Sequence, residues 1–485
     1  MIVWGYILSF VYMGLVIVVG EGLQRKFNFD KEMTRKCEHI ATSLSWIICY
    51  FLVGANIHLL IINLLACLVL GVITFGNLME SVERDDTDKS YGLFYFGLST
   101  SIVAGIVVLV NPEYYLLHGI TWYCLAIGDG FAPIFAKIFK KKNSQVIPPK
   151  TIMGMLAVFI FSLISVVVFN YAFHLNYDWA FMISVACLAT LLELFGKQGL
   201  DNFYVEFGVF GYLILNFYGL VTAPLIFAII ISTVLVVLSA KSKALTDAAN
   251  AFSFCFLLVC AFFGGWSLMA MVAVLFVLNG VSSKVLKLLH KKTPEQFKKH
   301  NARTTWQIVA NSIVAGVLAV LFYVTKEYFY LFAAIVVIGE EFADTMASDF
   351  GKLSRRNPID ILRFKRITTG ISGGVSLLGT AMALLGAVLA VIVPSLILID
   401  LLSIKTFALL CGIAFFGTLI DSVLGSGLQA LFKCKVCDTI MENRSHCGED
   451  AVCVKGIPFI SNTMVNLITG LITALISCLI LTLII

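Results

Sequence analysis

Charge is scarce in this sequence. Asp, Glu, Lys and Arg make up 13% of its 485 residues, against 60% hydrophobic residues. A water-soluble fold is excluded, because no compact soluble domain buries so large an apolar share. The alternating apolar and polar segments of about ten residues that mark a membrane β-barrel are missing. Pro-rich and Ser-rich stretches that would mark a free linker are missing too. The N-terminal apolar run has no basic region before it and no small-residue cleavage site, so it is expected to remain as a helix.

What is present is a succession of long apolar runs. Clear ones cover 2–20, 93–110, 152–173, 220–238, 251–280, 307–325, 373–399 and 462–485, with shorter ones near 40–54, 57–75, 117–128, 179–195, 328–339 and 405–420. At about 20 residues per span this predicts an all-α, polytopic helical membrane protein with roughly 14 transmembrane helices. A short polar break at Ser239-Ala240-Lys241-Ser242-Lys243 divides the chain into two expected membrane domains, 1–240 and 241–485.

The net charge of +5 is concentrated in a few linkers, 25–36, 137–150, 284–303, 352–366 and 433–455. Lys and Arg between spans predict cytoplasmic loops. Linker 80–89 differs: Glu80, Glu83, Asp85, Asp86 and Asp88 surround Arg84 and Lys89. It reads as a metal-related segment or a solvated cap.

One charged phrase occurs twice. The first copy runs Gly128-Asp129-Gly130-Phe131-Ala132, then Lys137, Lys140, Lys141 and Lys142, then Lys150-Thr151-Ile152-Met153-Gly154. The second runs Ala343-Asp344-Thr345-Met346-Ala347, then Lys352, Arg355 and Arg356, then Lys365-Arg366 and Gly370. An acid at the end of an apolar run, a basic linker and a cation four residues before a glycine suit phosphate chemistry at a membrane edge. Upstream, Arg35, Lys36 and His39 open one span, and Arg303, Gln307 and Asn311 form a helical stripe on another. Downstream, Glu193 precedes Asp201 by eight residues, and Asp421 precedes Gln429 by eight. The shared order predicts two related halves.

Asp129 is a candidate Mg²⁺ ligand, since that ion takes one or two carboxylates plus phosphate oxygens. Gly128 and Gly130 would let backbone approach a ligand. Lys150, Thr151 and Gly154 open a helix whose free N–H groups attract phosphate. Glu193, Asp201 and Asn202 complete the set as metal ligand, base and polar contact. In the second half, Glu340, Glu341, Asp344 and Asp349 gather carboxylates, with Glu340, Glu341 and Asp344 the expected metal ligands. Gly370, Gly373 and Gly374 offer a phosphate cradle. Asp421, Gln429, Asn462 and Asn466 add polar faces to late spans.

Most of the 13 cysteines are scattered in apolar runs, but Cys434, Cys437, Cys447 and Cys453 share a polar loop. Their spacing fits either a structural zinc site or free thiols.

Residues 1–220 resemble the membrane kinases of polyprenols, the phytol kinase and dolichol kinase family. The resemblance rests on Arg35-Lys36-x-x-His39, Gly128-Asp129-Gly130-x-Ala132, Lys150-Thr151-x-x-Gly154 and Glu193 with Gly199-Leu200-Asp201-Asn202. The chain departs from the family pattern at Ala136, Phe139-Lys140 and Met153. Residues 240–480 resemble the phytyl-phosphate kinase family, which includes human transmembrane protein 19. That match rests on Ala343-Asp344-Thr345-x-Ala347-Ser348-Asp349-x-Gly351, the glycine string, Asp421-Ser422 with Gln429, and Asn462 with Asn466; Asp349 stands where Glu is usual.

Together the resemblances imply a bifunctional isoprenoid alcohol kinase. A prenol of the phytol, geranylgeraniol or farnesol class would become the monophosphate and then the diphosphate, using CTP or another nucleotide triphosphate with Mg²⁺. Asp129 and Asp344 would hold metal; Arg35, Lys150, Arg303 and Arg366 would clamp phosphate; Asp201 or His39 would be the base. The expected partners are prenol, prenyl phosphate, nucleotide and the lipid bilayer, with no nucleic acid, and the sites are expected to face the cytoplasm. The alternatives are a cytidylyltransferase of a membrane lipid and a transporter of a phosphorylated lipid or anion.

Overall fold

The computed structural model describes all residues except 28–30, 77–90, 140–143, 198, 290–301 and 485. Linker 80–89, Lys140, Lys141, Lys142 and most of the 284–303 linker therefore lie outside the described residues. The chain forms two compact units, Met1–Val237 and Leu238–Ile485.

The first unit contains α1 (Ile2–Phe27), α2 (Lys31–Thr42), α3 (Leu44–Leu52), α4 (Ile57–Gly76), α5 (Gly92–Leu109), α6 (Tyr115–Tyr123), α7 (Gly130–Ile138), α8 (Ile152–Phe173), α9 (Trp179–Phe195) and α10 (Asp201–Phe217). Helix α11 (Ala223–Ser242) carries the chain across the boundary. The second unit continues with α12 (Asp247–Leu289), α13 (Thr305–Thr325), α14 (Tyr328–Gly351), α15 (Leu377–Ile397), α16 (Ile404–Gly427) and α17 (Asn462–Ile484). The fold is all-α and polytopic. Its strands are two to four residues long and sit in the connections: β1 (Gln145–Ile147) with β2 (Lys150–Thr151), β3 (Ile359–Asp360) with β4 (Gly374–Val375), and β5 (Leu431–Lys433), β6 (Ile440–Met441), β7 (Ser445–His446), β8 (Glu449–Asp450) and β9 (Val452–Lys455) between α16 and α17.

Among the described residues, 11 helices are long and apolar enough to span a membrane, fewer than the expected fourteen. The difference has physical causes. The run near 40–54 yields only the nine-residue α3, and α9 is 17 residues long. The run near 328–339 lies in α14, which continues through Glu340, Glu341, Asp344 and Asp349. Helix α12, which holds the single run 251–280, is broken at Gly265, where φ is 63° and ψ is −150°.

Helix α14 is the centre of the second unit. Residues Leu331 to Val337 are all buried in succession, and α13, α15, α16 and α17 pack around it. A helix apolar on every side can be stable only when enclosed in this way. Gly386 of α15 permits a close crossing, since a Cβ there would lie 2.9 Å from the Ala343 Cα.

The two units share one local design. In the first, the chain leaves Asp129, runs through α7 and the β1–β2 hairpin, and enters α8 at Thr151, whose hydroxyl accepts from Gly154 N. In the second, it leaves Asp344, runs through the β3–β4 hairpin, and enters α15 at Ser376, whose hydroxyl accepts from Gly379 N. A Cβ on Gly154 would meet the Ala132 carbonyl oxygen at 3.4 Å, and one on Gly379 would meet the Ala347 carbonyl oxygen at 3.2 Å. Each alanine stands three residues after its aspartate. The expected relation of the halves is present, but with a corrected register: Gly154 corresponds to Gly379, not Gly370. Val375 therefore occupies the place of Lys150.

Candidate functional site

Asp129 ends a π-helical turn, Cys124–Asp129, between α6 and α7. Such turns are rare and leave the ladder irregular, which re-aims the side chain that ends them. Gly128 lets this turn approach Ser162, and Gly130 lets α7 approach α2. Helix α2 then presents Lys36 and His39, one turn apart, to the same carboxylate. Lys36 pairs with Asp129, and His39 Nδ1 lies 3.4 Å from Asp129 Oδ2. Lys36, Asp129 and Glu193 are all buried. His39 packs edge-on against Phe96, and its Nε2 is buried without a hydrogen-bond partner. Burial holds the His39 ring below its ordinary protonation range, although the Asp129 hydrogen bond works the other way.

Lys150, in β2, reaches the other acids. It pairs with Glu193 at the end of α9, and its Nζ lies 3.1 Å from Asp201 Oδ2 at the start of α10. Burial alone would lower the ammonium's pKa, but Glu193, Asp201 and Asp129 outweigh it and hold Lys150 above the ordinary lysine value. Carboxylate oxygens of Asp129, Glu193 and Asp201 all lie within 4.8 Å of one another. These groups line a cavity of about 900 Å³ that also takes in Arg35, Thr151, Gly154 and Asn202. Phe10, Met13, Ile17, Leu70, Ile73 and Phe96 form an apolar wall. Thr151 caps α8, and Asn202 Nδ2 donates to the Gly92 carbonyl at 2.7 Å, tying α10 to α5.

The second unit gathers its polar residues differently. Glu340, Glu341, Asp344 and Asp421 lie close enough to feel one another's charge, and Arg303 acts on Glu341 and Asp344. Thr469 donates to Asp421 at 3.2 Å, and Asn466 donates to Asn311 at 3.3 Å. Among the described residues, however, Glu340, Glu341 and Asp344 are not gathered within 4.8 Å in the way the first unit's acids are. Asp349 instead faces Lys352 at 3.7 Å.

Several expected contacts have other roles. Gln307 is exposed and closes the capping box of α13, accepting from Thr304 N at 2.9 Å. Arg366 and Gly370 are exposed in the β3–β4 loop, and Asn462 is exposed at the start of α17. Gly373 has φ of 85° and abuts Ser426, where a Cβ would meet the Ser426 Cα at 2.5 Å. Gly374 pairs with Asp360 across the hairpin. Gln429 is buried, and its amide has no hydrogen-bond partner.

Two features escaped the sequence reading. His118 and Glu206 form a fully buried pair in the first unit, at 3.6 Å. An acid inside an apolar helix was its signal. Asp360 is also buried and accepts from Ser426 Oγ at 2.6 Å and from Leu362 N and Arg363 N. The cysteine loop singled out in the sequence gathers Cys434, Cys437, His446 and Cys447 within 4.8 Å. Cys453 is not a member: it lies in β9 opposite Phe432 and its Sγ faces the Lys455 carbonyl.

The model of the integral membrane protein DUF92 family matches residues 230–474. The chain belongs to this family. It is 28% identical over 273 residues to Protein PGR of Arabidopsis thaliana, covering 50% of this chain and 92% of that protein. It is 28% identical over 214 residues to the phytol kinase of Synechocystis, covering 41% of this chain and 86% of that enzyme. An uncharacterized membrane protein of Methanocaldococcus jannaschii is 27% identical over 235 residues, 47% of this chain and 90% of that one. No solved structure matches. The resemblance to phytol kinases read from the motifs is thus met by similarity to a protein of that name, and membership of an integral membrane family agrees with the multi-pass fold.

Proposed function

We propose that this chain is a prenol kinase whose first unit phosphorylates an isoprenoid alcohol and whose second unit phosphorylates the product again. The observation that carries the first step is the cavity in which an apolar wall ends at two lysine–carboxylate clusters, Lys36 with Asp129 and Lys150 with Glu193 and Asp201. A greasy chain fits the wall, and its hydroxyl would meet the charged end. Similarity to a phytol kinase supports the same substrate class.

The residues fit a divalent cation. Asp129, Glu193 and Asp201 offer hard oxygen donors within 4.8 Å, and Glu193 Oε2 is buried without a hydrogen-bond partner. Bound there, Mg²⁺ would neutralise charge on the nucleotide's phosphates. Lys36, Lys150 and Arg35 would hold the anionic groups. We assign the base to His39 rather than Asp201. Its Nδ1 faces Asp129 and its Nε2 is free to accept, whereas Asp201 already accepts from Lys150. In the transfer, the alcohol oxygen bonds to the γ-phosphorus, the bond from that phosphorus to the β-γ bridging oxygen breaks, the nucleoside diphosphate leaves, and the hydroxyl proton passes to His39 Nε2.

The second step rests on the motif resemblance of residues 240–480 and on the polar groups around α14. CTP, the cytoplasmic orientation of both sites and a Mg²⁺ role for Glu340, Glu341 and Asp344 belong to this reading as proposals. The test is incubation of the purified chain with CTP labelled at the γ-phosphate, Mg²⁺ and a panel of prenols, with mono- and diphosphate products resolved. Labelled prenyl phosphates support the reading. A CDP-lipid with released pyrophosphate, or binding of prenyl phosphate without nucleotide consumption, overturns it.

A further inference from the structure

The segment between α16 and α17 carries five short strands and, among the described residues, has no counterpart in the first unit. Cys434 follows β5, Cys437 lies in the next turn, His446 ends β7, and Cys447 sits in the β7–β8 turn. Cys437 Sγ and Cys447 Sγ are 4.0 Å apart, and they lie 3.4 and 3.2 Å from His446 Nδ1. Bonds of about 2.3 Å to sulfur and 2.0 Å to nitrogen in a tetrahedron put the donor atoms roughly 3.5–3.8 Å apart. The observed spacings straddle that range. Val436 N points at Cys434 Sγ at 3.4 Å, which orients that sulfur. Cys447 and Gly448 both have positive φ, 53° and 82°. A cysteine is costly in that region, and a bond to a shared ion would hold it there.

We propose that Cys434, Cys437, His446 and Cys447 bind one Zn²⁺ as a structural site. Four protein donors leave no open position for a reacting water. The site fixes the segment that carries two ties to the rest of the second unit and one brace of its own. Glu442 accepts from Ser372 Oγ at 2.5 Å, beside Gly373; Arg444 donates to the Pro458 carbonyl at 2.7 Å; and Lys455 Nζ lies 3.6 Å from Asp360. Zinc therefore staples the glycine-bearing β3–β4 loop in place.

Metal analysis of the full chain, purified in detergent from zinc-supplemented culture, tests this. About one zinc per chain is expected, falling roughly tenfold in Cys437→Ser and in His446→Ala but unchanged in Cys453→Ser. Hydrogen exchange of residues 370–374 should rise in Cys437→Ser. Where the ligand variants fail to give monodisperse protein, cobalt exchanged into the wild type provides the readout, and the intense absorption of tetrahedral thiolate-bound cobalt is expected. Zinc-free wild type with reactive thiols, a Cys437–Cys447 disulfide as the main species, a weak octahedral cobalt spectrum, or loss of zinc on Cys453→Ser overturns the site. Unchanged exchange at 370–374 in zinc-free Cys437→Ser overturns the staple.

Discussion

Gly130 makes room for Ile40: a Cβ on the glycine would lie 2.3 Å from the Ile40 Cγ1. This close approach brings Lys36 and His39, on the same helix as Ile40, to Asp129. Gly130→Ala should push α2 away and cost about 100-fold in prenol phosphorylation, since a shift of about 1 Å suffices for that. Adding Ile40→Ala removes the clash and should restore most of the rate. Steady-state rates of the two single variants and the pair check it; a double variant as slow as Gly130→Ala refutes the spacer role.

Lys150 is the cation shared by Glu193 and Asp201. Lys150→Met should lower the first phosphorylation by about 100- to 1000-fold, the size expected for losing a positioned charge in a buried site. Conversion of supplied prenyl monophosphate should be unchanged, because Val375 stands at the matching place in the second unit. Thin-layer separation of products from each substrate measures both.

Asp129→Asn should abolish prenol phosphorylation yet leave monophosphate conversion intact. Asp344→Asn should let the first step run and accumulate monophosphate. A loss of about 100-fold or more in the affected step is expected for each. Either folded variant losing both steps would show that the sites are not independent.

Asp360 binds the β3–β4 hairpin to α16 through Ser426. Asp360→Ala leaves that buried hydroxyl and two backbone N–H groups unpaired, so a loss of about 1–3 kcal/mol is expected in thermal melting. Burial alone would raise its pKa, but the Ser426 hydroxyl, the N–H groups of Arg363 and Leu362 and the Lys455 ammonium hold it below the ordinary carboxylate value. A depressed acid stabilises fully above its unfolded pKa, about 3.9, and ceases to do so only as pH falls through its lower folded value. Melting of the wild type should therefore show no pH dependence arising from Asp360 between about pH 7 and 5.

The membrane helices were legible because apolar runs near 20 residues leave few alternatives. Asp129, Lys150, Glu193 and Asp201 were legible as charges stranded at the ends of such runs. Their partnership was not, since Lys36 and Asp129 are 93 positions apart and meet only through helix packing. The short hairpins were invisible because strands of two or three residues carry no periodicity. That is why Arg366 and Gly370 seemed to match Lys150 and Gly154: the second hairpin loop is longer, and the matching cap lies at Ser376 and Gly379. Cys453 seemed equivalent to its neighbours in spacing, yet pairing of β5 with β9 takes it out of the cluster and leaves the place to His446.

The carboxylates of the first site already hold two ammonium groups, Lys36 on Asp129 and Lys150 on Glu193 and Asp201. A cation that enters shares these carboxylates with the two ammonium groups, and the positive charge gathered there then needs an anion. A bare ion satisfies only half of that requirement. An ion arriving on a polyphosphate satisfies both halves at once. On the proposed function, a pre-formed complex of ion and polyphosphate is therefore preferred over its separate parts.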